Sequence, residues 1–436
     1  MRPSIGWLGL LACVAGTASA QQRAPSPGNA ADTLHLTRAQ AVATALLSNP
    51  QVTIAREQYL QVRAQRVSGI AIPDPVLSTE YDSLPGPFRL SPSASRPLSL
   101  GLTIPFPDKF RLQNTIGVAN IQSSEAQLRL TQQLVATQAA QAYDSMMVSR
   151  MHQRDLLEAR DLAADFLKKT EARFNAGTVA RLDVIKAQVS LSQAENALIA
   201  SARNITNADA AMNRILGRPL GAPLAPAESL AVPGALPDLD ALLAAALRSR
   251  QELKDLEAQQ RAARANSQLT REQAILPDLF LSANRDIGVS APMWYNIGIA
   301  MPLPVLFWQH TRGDFAQAQH REAELAATYR DARAAVGQDV REAYANADAA
   351  LRQAVYIRDQ LLPSAREAYH VATVSYGLGG LSALDVLDAR SSLLDAESQY
   401  ADALAAANSA RADLERAVGV PLNTFAPATA PGAPRE

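Results

Sequence analysis

The chain predicts a mostly α-helical fold with a small transmembrane β part, built from two copies of one helical-hairpin unit. Three observations carry that prediction. The first is an internal duplication. Arg173 to Ala187 returns as Ser375 to Ala389, with Gly177 matching Gly379, Leu182 matching Leu384 and Val184 matching Val386, each 202 positions on. The match continues through Ala194-Glu195 onto Ala396-Glu397 and resumes at Gly217 to Leu220 onto Gly419 to Leu422. A period this long marks duplicated halves, since solenoid repeats run at roughly 20–50 residues. The second observation is the run from Phe110 to Phe174, which lacks proline and holds Gly117 as its one glycine. The third is a pair of short, period-two apolar segments ahead of each long helical run.

Bulk properties narrow the class further. The chain has 436 residues, is 48% hydrophobic and carries a formal net charge of −1. That is ample for a large core and lacks the basic excess of a nucleic-acid binder. Aromatics are 5%, while Ala, Leu, Gln, Arg and Glu are plentiful, a composition that suits long helices.

Residues 1–20 read as a secretory signal: Arg2 is the positive n-region, Ile5 to Val14 the apolar h-region and Ala18-Ser19-Ala20 the cleavage site. Cys13, the chain's one cysteine, leaves lipidation as the alternative processing. With cleavage after Ala20 the remaining chain has no thiol, hence no disulfide, Cys metal site or Cys nucleophile. No later run of about 18 apolar residues predicts a transmembrane helix.

Residues 21–33 form a polar linker. The first repeat covers 34–220. Thr37 caps a helical region over 37–71, broken at Asn49-Pro50. Strands follow at 76–82 and 98–104, separated by a Pro/Gly/Ser-rich loop. Leu77 and Tyr81 share one face of the first strand; Leu98, Leu100, Leu102 and Ile104 share one face of the second. A long helical hairpin spans 110–216, turning at Asn175-Ala-Gly177. Its first arm would be roughly 100 Å long, a length that needs a coiled coil or helical barrel around it. A Pro/Ala connector occupies 221–237, and the second repeat covers 238–422. It has helices over 238–275, strands at 279–285 and 294–301, and a hairpin over 308–419 with Gly337 and Pro363 as weak points. Leu281 faces out of its first strand; Tyr295, Ile297, Ile299 and Met301 face out of its second. Ser382 to Asp385 reads as a capping box opening the last helix. Residues 423–436 form a disordered Pro/Ala tail.

Four strands cannot close a barrel, for which about eight is the practical minimum. Lipid admits no open sheet edge. An apolar outer face with a polar or small inner face therefore predicts completion by further copies of the chain, with 8, 12 or 16 strands as the options.

The motif Arg173-Phe-Asn-x-Gly-x-Val with Asp183-Val184, and its partner Leu384-Asp-Val-Leu-Asp-Ala389, resemble the hairpin tips of the TolC family of outer-membrane efflux proteins. Ala45 to Pro50 and Pro73 to Ser78 resemble the family too, and its metal-efflux branch in particular. The resemblance covers residues 34–422. It implies a homotrimer with a twelve-stranded barrel in the outer membrane and an α-helical tunnel through the periplasm. It also implies a periplasmic adaptor and an inner-membrane transporter as partners in a tripartite efflux pump. The outer channel of a type I protein-secretion system shares the architecture and is one alternative; a soluble periplasmic coiled-coil scaffold is another.

By the same resemblance, the tips dock the adaptor. They comprise Asn175, Gly177, Thr178 and Val179 in the first copy, and Gly377, Gly379, Gly380, Leu381 and Ser382 in the second. Asp385 and Asp388 match acidic residues that line the family's narrowest point, and Tyr376 and Asp183 match a pair that links hairpins when closed. Leu381 and Leu182 replace the family's usual arginine and threonine there, leaving Arg181 as a basic candidate. No catalytic constellation is present, and no cofactor or metal is expected. His35, His152, His310, His320 and His370 lack ligand spacing, and Met146, Met147 and Met151 read as packing.

Overall fold

Helix formation along this chain follows its caps and its punctuation. The structure, a computed structural model, describes residues 33–79, 97–286, 295–302 and 307–425. The signal segment, most of the linker and most of the tail lie outside the described residues, as does Tyr81. The first half runs β1 (Leu34–Leu36), α1 (Arg38–Ser48), α2 (Pro50–Gly69), β2 (Val76–Thr79), β3 (Pro97–Ile104), α3 (Pro107–Asn175), α4 (Arg181–Ile215) and β4 (Leu224–Pro226). The second half runs α5 (Leu239–Ser249), α6 (Gln251–Ile275), β5 (Leu279–Asp286), β6 (Tyr295–Ala300), α7 (Phe307–Tyr356), α8 (Leu362–Gly377) and α9 (Ala383–Val418). Thr37 opens α1 with a capping box: its Oγ1 accepts from Gln40 N at 3.2 Å, and its own N–H donates to Gln40 Oε1 at 3.0 Å.

The two halves have matching cores at the base of the hairpins. Ala41, Ala45, Val135, Ala139 and Met212 are buried together in the first. Leu242, Ala246, Val336, Val340 and Leu414 occupy the matching places in the second. Met146 and Met147 lie inside the first core, as packing side chains. The corner before α2 is tied to the end of α4: Ser48 Oγ donates to the Leu216 carbonyl at 2.7 Å and Asn49 Nδ2 to the Ile215 carbonyl at 2.9 Å. In the second half Ser249 Oγ donates to the Val418 carbonyl at 2.7 Å and Arg250 Nη1 to the Ala417 carbonyl at 3.1 Å. Carbonyls in the last turn of a helix have no intrahelical donor, so each corner satisfies its own hairpin's end.

Three features depart from the sequence expectation. β1 and β4 form a parallel pair, Leu34 opposite Leu224 and Leu36 opposite Pro226, where the sequence reads no element ahead of the helix at 37 and only connector over 221–237. Strands of three residues are too short for a period-two signal. Asp144 is buried at 1% exposure inside α3 and is held bidentately by Arg38, at 2.9 and 3.0 Å. Burial pushes its carboxyl above the usual aspartate range, while Arg38 pulls it back. Finally, the run 308–376 is not one α-helix: Ile357–Leu361 is a π-helical segment, ending two residues before Pro363. Val135 and Tyr143 match Val336 and Tyr344 at a separation of 201, whereas Phe174 and Gly177 match Tyr376 and Gly379 at 202. The second arm thus carries one extra residue, and a π segment is how a helix absorbs one.

The membrane part is a four-stranded antiparallel sheet in the order β2-β3-β5-β6. Its register puts Leu77, Leu100, Ala283 and Ile297 in one cross-strand row, and Leu102, Leu281 and Ile299 in the next. Leu98 stands opposite Arg285, which faces Tyr295, and Ile104 stands opposite Leu279. All the described residues expected to face lipid on β2, β3, β5 and β6 therefore share one surface. Met301 follows β6 directly and is exposed. The opposite surface carries Ser78, Ser99, Gly101, Thr103, Ser282, Asn284 and Asn296. There Gly101 makes room for Phe280, whose ring would lie 2.9 Å from a Cβ at position 101. Among the described residues no helix is long and apolar enough to cross a membrane.

Ile297, 85% exposed and central in β6, measures the lipid assignment. Ile297→Lys is expected to destabilise the membrane-inserted protein by about 2–4 kcal/mol, whereas Asn296→Lys on the other face is tolerated. Denaturant midpoints in bilayers or detergent check the difference.

Candidate functional site

The far end of the hairpins carries the candidate site. Both arms stop by the same device. In the first, Gly177 adopts φ +74°, its N–H donates to the Phe174 carbonyl at 2.9 Å, and Thr178 N–H donates to the Arg173 carbonyl at 2.9 Å. In the second, Gly379 adopts φ +83°, its N–H donates to the Tyr376 carbonyl at 3.0 Å, and Gly380 N–H donates to the Ser375 carbonyl at 2.9 Å. These are paired 6→1 and 5→2 bonds around a left-handed residue, the Schellman arrangement. A Cβ at Gly177 or Gly379 would meet nothing within 4 Å, so φ alone demands glycine.

The return helices open differently. Asp385 Oδ2 accepts from Ser382 N–H at 2.8 Å and from Ser382 Oγ at 2.7 Å, and Asp385 N–H donates back to Ser382 Oγ at 3.3 Å, completing a capping box. The Ser382 hydroxyl, and then its amide, hold the Asp385 carboxyl below the usual aspartate range. Asp183 has Ala180 in place of that serine and accepts only the Ala180 N–H, at 3.3 Å. Asp385 and Asp388 are both exposed and lie one turn apart on α9. Leu378, between the tip glycines, is 85% exposed, and Leu381, Leu182 and Leu384 are exposed as well. Val179 is half-buried, while Asn175, Gly177, Thr178, Gly377, Gly380 and Ser382 are exposed.

Within the chain, Tyr376 and Asp183 do not meet. Tyr376 is 5% exposed and packs on Phe166, with ring centroids 5.4 Å apart. Its hydroxyl lies 3.4 Å from Thr170 Oγ1. The Arg173 guanidinium sits 4.4 Å from the ring centroid, and its Nη1 donates to the Tyr376 carbonyl at 2.8 Å. Arg390 makes a second bridge, from α9 to Ser190 of α4 and the Ala159 carbonyl of α3. Sequence reasoning missed both arginines as bridges, because an arginine on a long amphipathic helix reads as solvated; Arg173 at the head of the duplicated motif was the available signal. Arg181 is exposed. His152 Nε2 lies 3.4 Å from an Asp402 oxygen, and no group of three or more metal-ligating side chains occurs among the described residues.

Residues 18–218 and 242–420 match the family described as "Outer membrane efflux protein". The cobalt-zinc-cadmium resistance protein CzcC of Cupriavidus metallidurans is 25% identical over 297 residues, 65% of this chain and 68% of that protein. The pyoverdine export outer membrane protein OpmQ of Pseudomonas aeruginosa is 25% identical over 307 residues, 69% of this chain and 64% of that protein, just under two thirds of its length. Among solved structures, the CmeC outer membrane channel of Campylobacter jejuni is 18% identical, with a TM-score of 0.74 over 88% of this chain and 85% of that one.

The tip turn can be tested with two glycines two residues apart. Gly379→Ala must place a Cβ at positive φ and is expected to cost about 1–2 kcal/mol. Gly377→Ala, in helical backbone with open space around it, is expected to gain about 0.5–1 kcal/mol. Denaturant midpoints of the two variants should move in opposite directions.

Proposed function

The chain belongs to the outer membrane efflux protein family, and we propose that it works as a homotrimer whose hairpin tips meet a periplasmic adaptor. The protein is an outer-membrane efflux duct that reaches into the periplasm. The family is one of channels, and its members work with a periplasmic adaptor and an inner-membrane transporter in tripartite pumps. The observation that carries the reading is the separation of two unlike ends. An apolar sheet stands at one end of α3, and the paired glycine turns stand at the other. At 69 residues α3 spans roughly 100 Å, enough to leave the membrane far behind.

Assembly follows from two unfinished edges. β2 and β6 each have one neighbour in the sheet, which lipid does not tolerate. Over their whole length α4 packs mainly on α3, α3 on α9 and α9 on α8, so we place α4 and α8 at the flanks. Exposed Leu182, Ile185 and Val189 run up α4, and exposed Leu378, just past the end of α8, leads to Val374 and Val371 on it. The helices are antiparallel, and both stripes step by three and four residues from the tip, the spacing of a coiled-coil seam. First-half elements form one edge at both levels and second-half elements the other. One rotation therefore closes sheet and helices together, and three copies give twelve strands. Since Cys13 is the chain's one cysteine, the pair Ile185→Cys and Val374→Cys is expected to give disulfide-linked trimers on non-reducing gels; monomers alone would refute the seam.

Three copies of Asp385 and Asp388 would form two stacked acidic rings at the aperture, favouring cations. The tip residues Val179, Leu378 and Leu381 supply the apolar surface for adaptor helices. Relatives named for metal resistance and for pyoverdine export match this chain at the same identity, so the duct sets an aperture charge rather than a cargo. Replacing Asp385 and Asp388 by Asn is expected to lower cation-over-anion selectivity in planar bilayers; unchanged selectivity would remove both residues from the aperture.

A further inference from the structure

The two hairpins of one chain are joined near the aperture by an arginine that has no counter-ion within the chain among the described residues. Arg390 lies on α9, five residues past Asp385, and is 5% exposed. Its Nη1 donates to Ser190 Oγ on α4 at 2.8 Å, and its Nη2 donates to the Ala159 carbonyl on α3. Both acceptors are neutral. The Nε is buried and has no partner among the described residues. Burial draws the guanidinium below the usual arginine range, and what opposes that shift is the Tyr369 hydroxyl rather than a carboxylate. The one other charged side chain in the surrounding groove of about 520 Å³ is Lys186, of the same sign; the groove is walled by Ile185, Val189, Leu384 and Leu387.

A buried charge with no opposite charge is costly, and removing an ion from water carries a penalty that neutral acceptors only partly offset. The bonds to Ser190 and Ala159 exist only while α9 lies against α3 and α4. Separating the hairpins loses them, but lets water reach the guanidinium. We infer that Arg390 is a buried-charge spring in the aperture: it registers α9 against the α3–α4 hairpin while keeping their contact marginal, so that the tips part readily. The inference rests on the duct reading above.

The test is single-channel recording of the full-length protein in planar bilayers. Arg390→Gln removes the charge and keeps a donor; Arg390→Met removes both at similar volume. Each is expected to lower the open-to-closed ratio, roughly tenfold, because the neutral side chain is content to stay buried. Ser190→Asp supplies the missing carboxylate and is expected to lower the ratio in the parent background. In the Arg390→Gln background the same change has no guanidinium to pair with, only Lys186 one turn away, and is expected not to lower the ratio further. If Arg390 were a simple latch, Arg390→Met would lose both bonds and open the channel; that result, or an unchanged ratio in Arg390→Met, overturns the inference. Should both Arg390 variants fail to assemble, Ser190→Asp alone decides, since an unchanged ratio there means the guanidinium lacks nothing. Absence of any conductance from the parent protein would instead overturn the duct reading.

Discussion

A backbone amide in lipid must find its partner within the protein, and most of this architecture follows from that constraint. The sheet of β2, β3, β5 and β6 satisfies its interior and leaves two edges unpaired. Water would forgive such edges, but hydrocarbon does not. The chain is therefore incomplete as a single copy in the membrane, and the same incompleteness is repeated in the helices. We place α4 and α8 at the flanks, with Leu182, Ile185 and Val189 on one and Val371, Val374 and, just past its end, Leu378 on the other, all exposed. Seen in one chain these side chains look like misplaced hydrophobics; as a seam between copies they are ordinary coiled-coil positions.

Duplication supplies the fold, and the departures from duplication supply the working end. At the base the halves agree closely: Ser48 and Ser249 cap equivalent carbonyls, and Val135 and Val336 fill equivalent holes. Toward the tip they part. The second arm takes in one extra residue at Ile357–Leu361, which turns the face of α8 relative to α7. Its return helix begins with Ser382 capped on Asp385, where the first has Ala180 and a single longer bond to Asp183. The first hairpin contributes Phe166, Thr170 and Arg173, all packed around Tyr376 of the second. One hairpin is thus a platform and the other rests on it through a few identifiable side chains.

Charge is handled in opposite ways at the two ends of the hairpins. Asp144 at the base is buried with a bidentate arginine, so the ion pair is complete and the contact is committed. Arg390 near the tip is buried with two neutral acceptors and an idle Nε. Completed pairs suit a joint that stays shut, and uncompensated charge suits a joint that has to separate.

Much of this was legible in the residues alone. The duplication, the strand faces and the glycine stops were readable because each follows from a short-range rule: period two for a strand, left-handed φ for a helix end, proline for a break. Gly177 and Gly379 could be placed as turns, and Ile297 and Leu100 on one surface, before any coordinates. What escaped the sequence depends on neighbours far along the chain. β1 and β4 are three-residue strands that exist because the whole first half, helices, strands and hairpin, brings Leu34 back to Leu224. The extra residue of the second arm is visible as an offset, but only helix geometry decides that it becomes a π segment. Arg173, Arg390 and Asp144 look like solvated charges on long helices, and the sequence pairs Tyr376 with Asp183 rather than with Phe166, Thr170 and Arg173. Burial is a property of the surroundings, not of a residue's type, so the sequence by itself determined the frame and its ends, while the tertiary structure decided which charges the frame encloses.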